Sequence, residues 1–66
     1  MSQLYDLKML IEEKIKTSGL DAVDAKGKIG LKSGKLLAFI TPSTPDEPTA
    51  VAKLKQAAKE VLNINL

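Results

Sequence analysis

A cluster of lysines near the middle of the chain is the first feature that could do chemistry. No aspartate or glutamate occurs from residue 25 through residue 45, so these positive charges have no local counterpart. Closely spaced cations are typical of weak, salt-sensitive contacts with the phosphates of nucleic acids. All ten basic residues are lysine, and bidentate recognition of phosphates or bases is arginine chemistry, so only weak binding is expected. The predicted phosphate contacts are Lys26, Lys28, Lys32 and Lys35.

These lysines also have a simpler interpretation. Lysines beside an exposed strand edge prevent other chains from pairing with that edge. These lysines would then serve only to protect the edge, or they would simply be solvated. The single aromatic residue nearby, Phe39, offers little stacking surface for bases. Weak, sequence-tolerant nucleic-acid binding is therefore the alternative hypothesis for this chain.

Side chains suited to catalysis are scarce. The chain has no histidine and no cysteine, which removes the usual neutral-pH base, the common metal ligands, disulfides and the familiar nucleophile systems. The segment from Gly30 to Lys35 contains residue types of a nucleotide-binding loop, but its glycines are one residue too close and neither serine nor threonine follows Lys35. We therefore expect no enzymatic activity, no cofactor and no metal.

A run of five apolar residues is the second notable feature. Since side chains alternate between the two faces of a strand, such a run needs cover on both faces. A chain of 66 residues has little material for that, so we expect a second copy or a protein partner to cover one face. Alternatively, two helices of the same chain clasp the segment. The predicted partner interface is Leu36, Leu37, Ala38, Phe39 and Ile40.

A helix over residues 3–17 precedes both features. Apolar residues recur there at three- and four-residue steps, namely Leu4, Leu7, Ile11 and Ile15. Ser2 suits the N-cap, and Gly19 suits the left-handed position that ends a helix.

The central segment over residues 28–41 has the pattern of a β-hairpin. Apolar and other residues alternate before Ser33-Gly34, which is predicted to be the turn, and the apolar run is the returning strand. A two-residue and a three-residue loop place Phe39 on opposite faces, so the register stays open. Residues 20–26 fit either a loop or a short strand.

A second helix is predicted to end near Leu62. Thr44, Pro45 and Glu47 match a capping box at its start, with Asp46 as the other candidate N-cap. Residues 62–66 alternate between apolar and polar, which indicates a short C-terminal strand.

The elements together predict one α+β domain over residues 1–66, a small two-layer α-β-β-α unit with a central hairpin. The predicted function is a non-catalytic interaction module that forms a homodimer or docks a protein partner through that hairpin. The first residues lack the pattern of a secretory signal, and the longest apolar run is too short to cross a membrane. We therefore expect a cytoplasmic protein that does not bind membranes.

Overall fold

The computed structural model describes residues 2–65, and over that range the chain forms three α-helices and no β-strand. The helices are α1 (Gln3–Ser18), α2 (Ala22–Ser33) and α3 (Pro48–Leu62), with a short 3₁₀ turn at Leu37–Phe39. α3 packs against both other helices, and together they form a small helical bundle. The predicted α+β class with its α-β-β-α order is therefore wrong.

The first predicted helix is confirmed. Ser2 has extended backbone angles, and its Oγ accepts a hydrogen bond from the Tyr5 N–H at 3.1 Å. Gly19 has φ 78°, the left-handed conformation that ends α1. The buried side chains of α1 are Leu4, Ile11 and Ile15, which lie on one face of the helix.

The predicted β-hairpin over residues 28–41 does not form. Its first half is the second half of α2, which begins after Asp21, whose Oδ1 accepts a hydrogen bond from the Val23 N–H at 3.2 Å. Its supposed turn, Ser33-Gly34, ends the helix: Gly34 has φ 80° and its N–H donates to the Gly30 carbonyl at 2.9 Å. The helix is favoured over the hairpin because Ala25 and Ile29, four residues apart, are then both buried in the core.

The supposed returning strand folds back onto α2 instead of pairing with it. Leu36 lies against Gly30, so closely that a Cβ on Gly30 would collide with the end of the Leu36 side chain. A glycine inside a helix normally weakens it by about 1 kcal/mol. At residue 30 the missing side chain creates the space in which the next segment packs.

The residue that caps α3 is neither of the two predicted N-caps, Thr44 and Asp46. Glu47 is the N-cap, without a side-chain hydrogen bond, and Thr44 Oγ1 accepts instead from the Thr41 N–H. The carboxylate of Asp46 caps α1: it accepts from the N–H groups of Leu4 and Gln3, each at 2.9 Å. These two bonds and one from the Ser2 hydroxyl, at 2.9 Å, lower the pKa of Asp46 from its ordinary value.

The predicted C-terminal strand is also wrong for the residues that the structure describes. Asn63 has φ 55° and ends α3 in the left-handed conformation, and residues 64–65 have no regular structure. Leu66, the last residue of that predicted strand, lies outside the described residues.

All three helices and the 3₁₀ turn contribute to one core. Leu37 and Ile40 insert between the helices, so the connection from α2 to α3 is held at both ends of the turn. The buried side chains are Leu4, Ile11, Ile15, Ala25, Ile29, Leu37, Ile40, Leu54, Ala57, Ala58 and Leu62.

Candidate docking surface

The five residues of the predicted interface divide between the core and the surface. Leu37 and Ile40 are each 2% exposed and belong to the core. Leu36, Ala38 and Phe39 are exposed, Phe39 to 65%. This division follows from the 3₁₀ turn, in which side chains three residues apart share a side.

The outer side of α2 carries two apolar residues that the sequence analysis did not assign to an interface. Val23 is 81% exposed and Leu31 is 86% exposed. Gly27 lies midway between them, so the three residues follow one another at four-residue steps along the same side of the helix. Apart from the neighbouring residues and the backbone of α2 itself, no atom of residues 2–65 lies within 4 Å of the position that a Cβ on Gly27 would occupy.

The exposed residues of α2 and of the segment after it form one continuous surface. Val23, Gly27, Leu31 and Leu36 line a common shallow depression. Phe39 lies next to it, where it borders a second depression with Leu31 and Leu36. We call this surface the apolar face, and its residues are Val23, Gly27, Leu31, Leu36, Ala38 and Phe39.

Charged residues border the apolar face. On the flank beyond Gly27 and Leu31, the Lys28 Nζ lies 3.1 Å from the Asp24 Oδ2, one helical turn away. Lys35 follows α2 and lines the depression that Phe39 borders. The face is therefore an apolar strip with charges at its rim, the arrangement found in protein interfaces.

Three of the four predicted phosphate contacts lie beside carboxylates. The pairs are Lys26 with Glu12 (3.3 Å), Lys28 with Asp24 (3.1 Å) and Lys32 with Glu60 (3.6 Å). The fold brings Glu12 of α1 to Lys26 and Glu60 of α3 to Lys32, whereas Asp24 and Lys28 pair within α2. These ion pairs reduce the positive potential that phosphate binding requires.

The signal for the α2 half of the face was present in the sequence. Val23, Gly27 and Leu31 have helical spacing, and so do Ala25 and Ile29 on the opposite side. The hairpin interpretation divided these residues between a loop and a strand, which hid both periodicities.

Comparisons with known protein families, with curated protein sequences and with solved structures find no match. None of the helices between residues 2 and 65 is long and apolar enough to cross a membrane.

Proposed function

We propose that this chain is a protein-interaction module that docks an α-helix of its partner on the apolar face. The observation that supports this most is the exposure of Val23 and Leu31, the two most exposed large apolar side chains within residues 2–65, in one depression with Leu36. Grouped apolar side chains at a protein surface commonly mark an interface. Full burial of each contributes roughly 1.5–3 kcal/mol to a complex, before the cost of association is subtracted.

The backbone of this surface favours a helical partner. Docking through a β-hairpin is no longer tenable, because residues 2–65 contain no strand with which an extended partner could pair. The apolar face instead runs along α2, and Gly27 lets a partner helix approach its backbone closely. An amphipathic helix in a shallow apolar groove is a common mode of recognition with this geometry.

The module acts by binding, and its partner is a protein. The lack of histidine and cysteine supports a non-catalytic role. Nucleic-acid binding through Lys26, Lys28, Lys32 and Lys35 stays a prediction that the ion pairs of these lysines do not favour. A cytoplasmic location also belongs to the proposal, and fractionation of the cells that produce the protein tests it.

Site-specific photo-crosslinking in those cells tests the docking surface. The photoreactive residue p-benzoylphenylalanine replaces Leu31 in one variant and Gln56 in another. Gln56 is exposed and points away from the buried side of α3, so it is a matched control. We expect discrete protein adducts from position 31 and none of the same mass from position 56.

The proposed function is wrong if position 31 gives no adduct, or if both positions give the same adducts. Circular dichroism of the purified variants shows whether each retains its helices, which excludes unfolding as the cause of a missing adduct.

A further inference from the structure

We infer that the helix docked on the apolar face is α2 of a second copy of this chain. The two α2 helices lie antiparallel and are related by a two-fold axis close to Gly27. This inference rests on the proposed function, to which it adds the identity of the partner.

The apolar residues of α2 are placed symmetrically for such a contact. Val23 lies four residues before Gly27, and Leu31 lies four residues after it. A two-fold axis at Gly27 therefore sets Val23 of each copy opposite Leu31 of the other. The two glycines face each other at the crossing point, where open space above each lets the helices approach closely.

Leu36 extends the contact on one flank. It packs over Gly30, three residues beyond the axis, so the two-fold axis brings it beside Val23 of the second copy. Each copy thus covers the exposed Val23 at the start of α2 in the other.

The charges on the other flank match the same arrangement. Asp24 and Lys28 lie on the same side of the apolar strip, one helical turn apart. In an antiparallel two-fold pair, equal flanks face each other, so Asp24 of each copy lies near Lys28 of the other. The midpoint of these two residues is residue 26, one residue from Gly27, so Asp24 of one copy and Lys28 of the other are offset by about 3 Å along the helix, which the two side chains can span.

The combined pattern favours a second copy over an unrelated helix. The flank carries one negative and one positive charge, so it does not select a strongly acidic or a strongly basic partner. It is complementary to itself when reversed, and so is the apolar strip. A short chain whose core must be built from small helices also gains stability from association.

Sedimentation velocity of the purified full chain over a concentration series tests the inference. We expect the wild-type chain to be dimeric at high concentration, and each of two charge variants, Asp24→Lys and Lys28→Asp, to associate about tenfold or more weakly. The reason is that like charges then face each other at both ends of the flank. Glu13→Lys, which changes the charge of an exposed α1 residue by the same amount, is the control and should associate as the wild type does.

An equimolar mixture of the two charge variants is the decisive sample. One variant has two lysines on the flank and the other has two aspartates, so the mixed dimer regains both opposite-charge pairs. We expect the mixture to recover most of the wild-type association. Neither variant can restore the Asp24–Lys28 pair within its own chain, so the recovery can arise only from contacts between chains.

The inference is overturned by a monomeric wild-type chain, by variants that associate like the wild type, or by a mixture that associates no better than its components. Adducts from position 31 to a different protein, together with a monomeric purified chain, would leave the proposed function standing and reject the second copy. A dimer whose cross-links do not involve position 31 would reject both.

Discussion

The helices α2 and α3 have similar lengths, 12 and 15 residues, but they use their apolar residues differently. α3 directs Leu54 and Leu62 into the core, whereas Gln56 lies on its exposed side. α2 directs Ile29 into the core and also keeps Leu31 on the solvent side. The large apolar side chains of α3 thus serve the fold alone, whereas α2 has one apolar side for the fold and another available for a partner.

The largest expected effect is a difference in the free energy of unfolding between variants on the two sides of α2. Ile29→Ala removes a fully buried side chain, so the free energy of unfolding should fall by about 2–5 kcal/mol. Leu31→Ala removes a side chain that is 86% exposed, so stability should change by about 0.5 kcal/mol or less. Urea unfolding followed by circular dichroism measures both, at a concentration low enough for the wild type to be monomeric.

The same two variants should rank in the opposite order in their effect on self-association. Leu31→Ala should associate more weakly than the wild type although its helices stay intact. Equal losses of stability in the two variants would mean that Leu31 contributes to the core. In that case the exposed side of α2 would not differ from its buried side in its contribution to the fold.

The glycines of α2 provide a second, smaller contrast. Gly30→Ala places a Cβ against Leu36, and the need to displace that side chain should lower the free energy of unfolding by roughly 1–3 kcal/mol. The methyl group of Gly27→Ala meets no atom of residues 2–65 within 4 Å beyond its own helix backbone, so the better helix propensity of alanine should raise the free energy of unfolding by up to about 1 kcal/mol.

Gly27→Ala should also weaken self-association, because the added methyl group separates the two helices at their crossing point. Thermal unfolding and sedimentation of both variants check these expectations. A Gly30→Ala variant more stable than the wild type would show that Leu36 is not held against α2.

The smallest effect on stability is expected from a substitution outside the apolar face, at Asp46. Asp46→Asn removes the negative charge that accepts the N–H groups of Gln3 and Leu4, so stability at neutral pH should decrease. Because the pKa of Asp46 is lowered in the folded state, its contribution is present above the ordinary aspartate pKa. That contribution is lost as the pH falls through the lowered, folded-state pKa.

Thermal unfolding from neutral pH to about pH 2 measures this effect as the difference between the two proteins. The difference should shrink on acidification, once Asp46 in the wild type is protonated. Glu47→Gln is the matched control, since Glu47 makes no side-chain cap. A difference that does not depend on pH would show that the charge of Asp46 is not what stabilises α1.

The limits of sequence reasoning are clearest at two identical dipeptides. Ser18-Gly19 was predicted to end a helix and does so. Ser33-Gly34 was predicted to be a hairpin turn, yet it ends α2 in the same way. In both places the serine Oγ accepts from the N–H two residues on. The Ser18 hydroxyl donates to the Ile15 carbonyl at 2.8 Å, whereas the Ser33 hydroxyl lies closer to the Lys35 carbonyl, at 3.0 Å, than to the Gly30 carbonyl, at 3.5 Å.

The hairpin over residues 28–41 was predicted from the alternation before Ser33-Gly34 and from the apolar run after it. The contact of Leu36 with Gly30, which brings that run back onto α2, is a tertiary contact that no local pattern reveals. The same is true of Asp46, whose carboxylate lies at α1, 42 residues away from Leu4 in the sequence. Half of the apolar face could be predicted, since Leu36 and Phe39 belong to a conspicuous apolar run, whereas Val23 and Leu31 required the correct helix.

The most direct test of the central claim, that the apolar face binds a second copy, is a dilution series of ¹H–¹⁵N correlation spectra of the wild-type chain. We predict that the amide signals that move with concentration belong to residues 23–31 and 36–39, and that those on the exposed side of α3 around Gln56 stay constant. Spectra that are identical at all concentrations, or shifts centred on α3, would contradict the account.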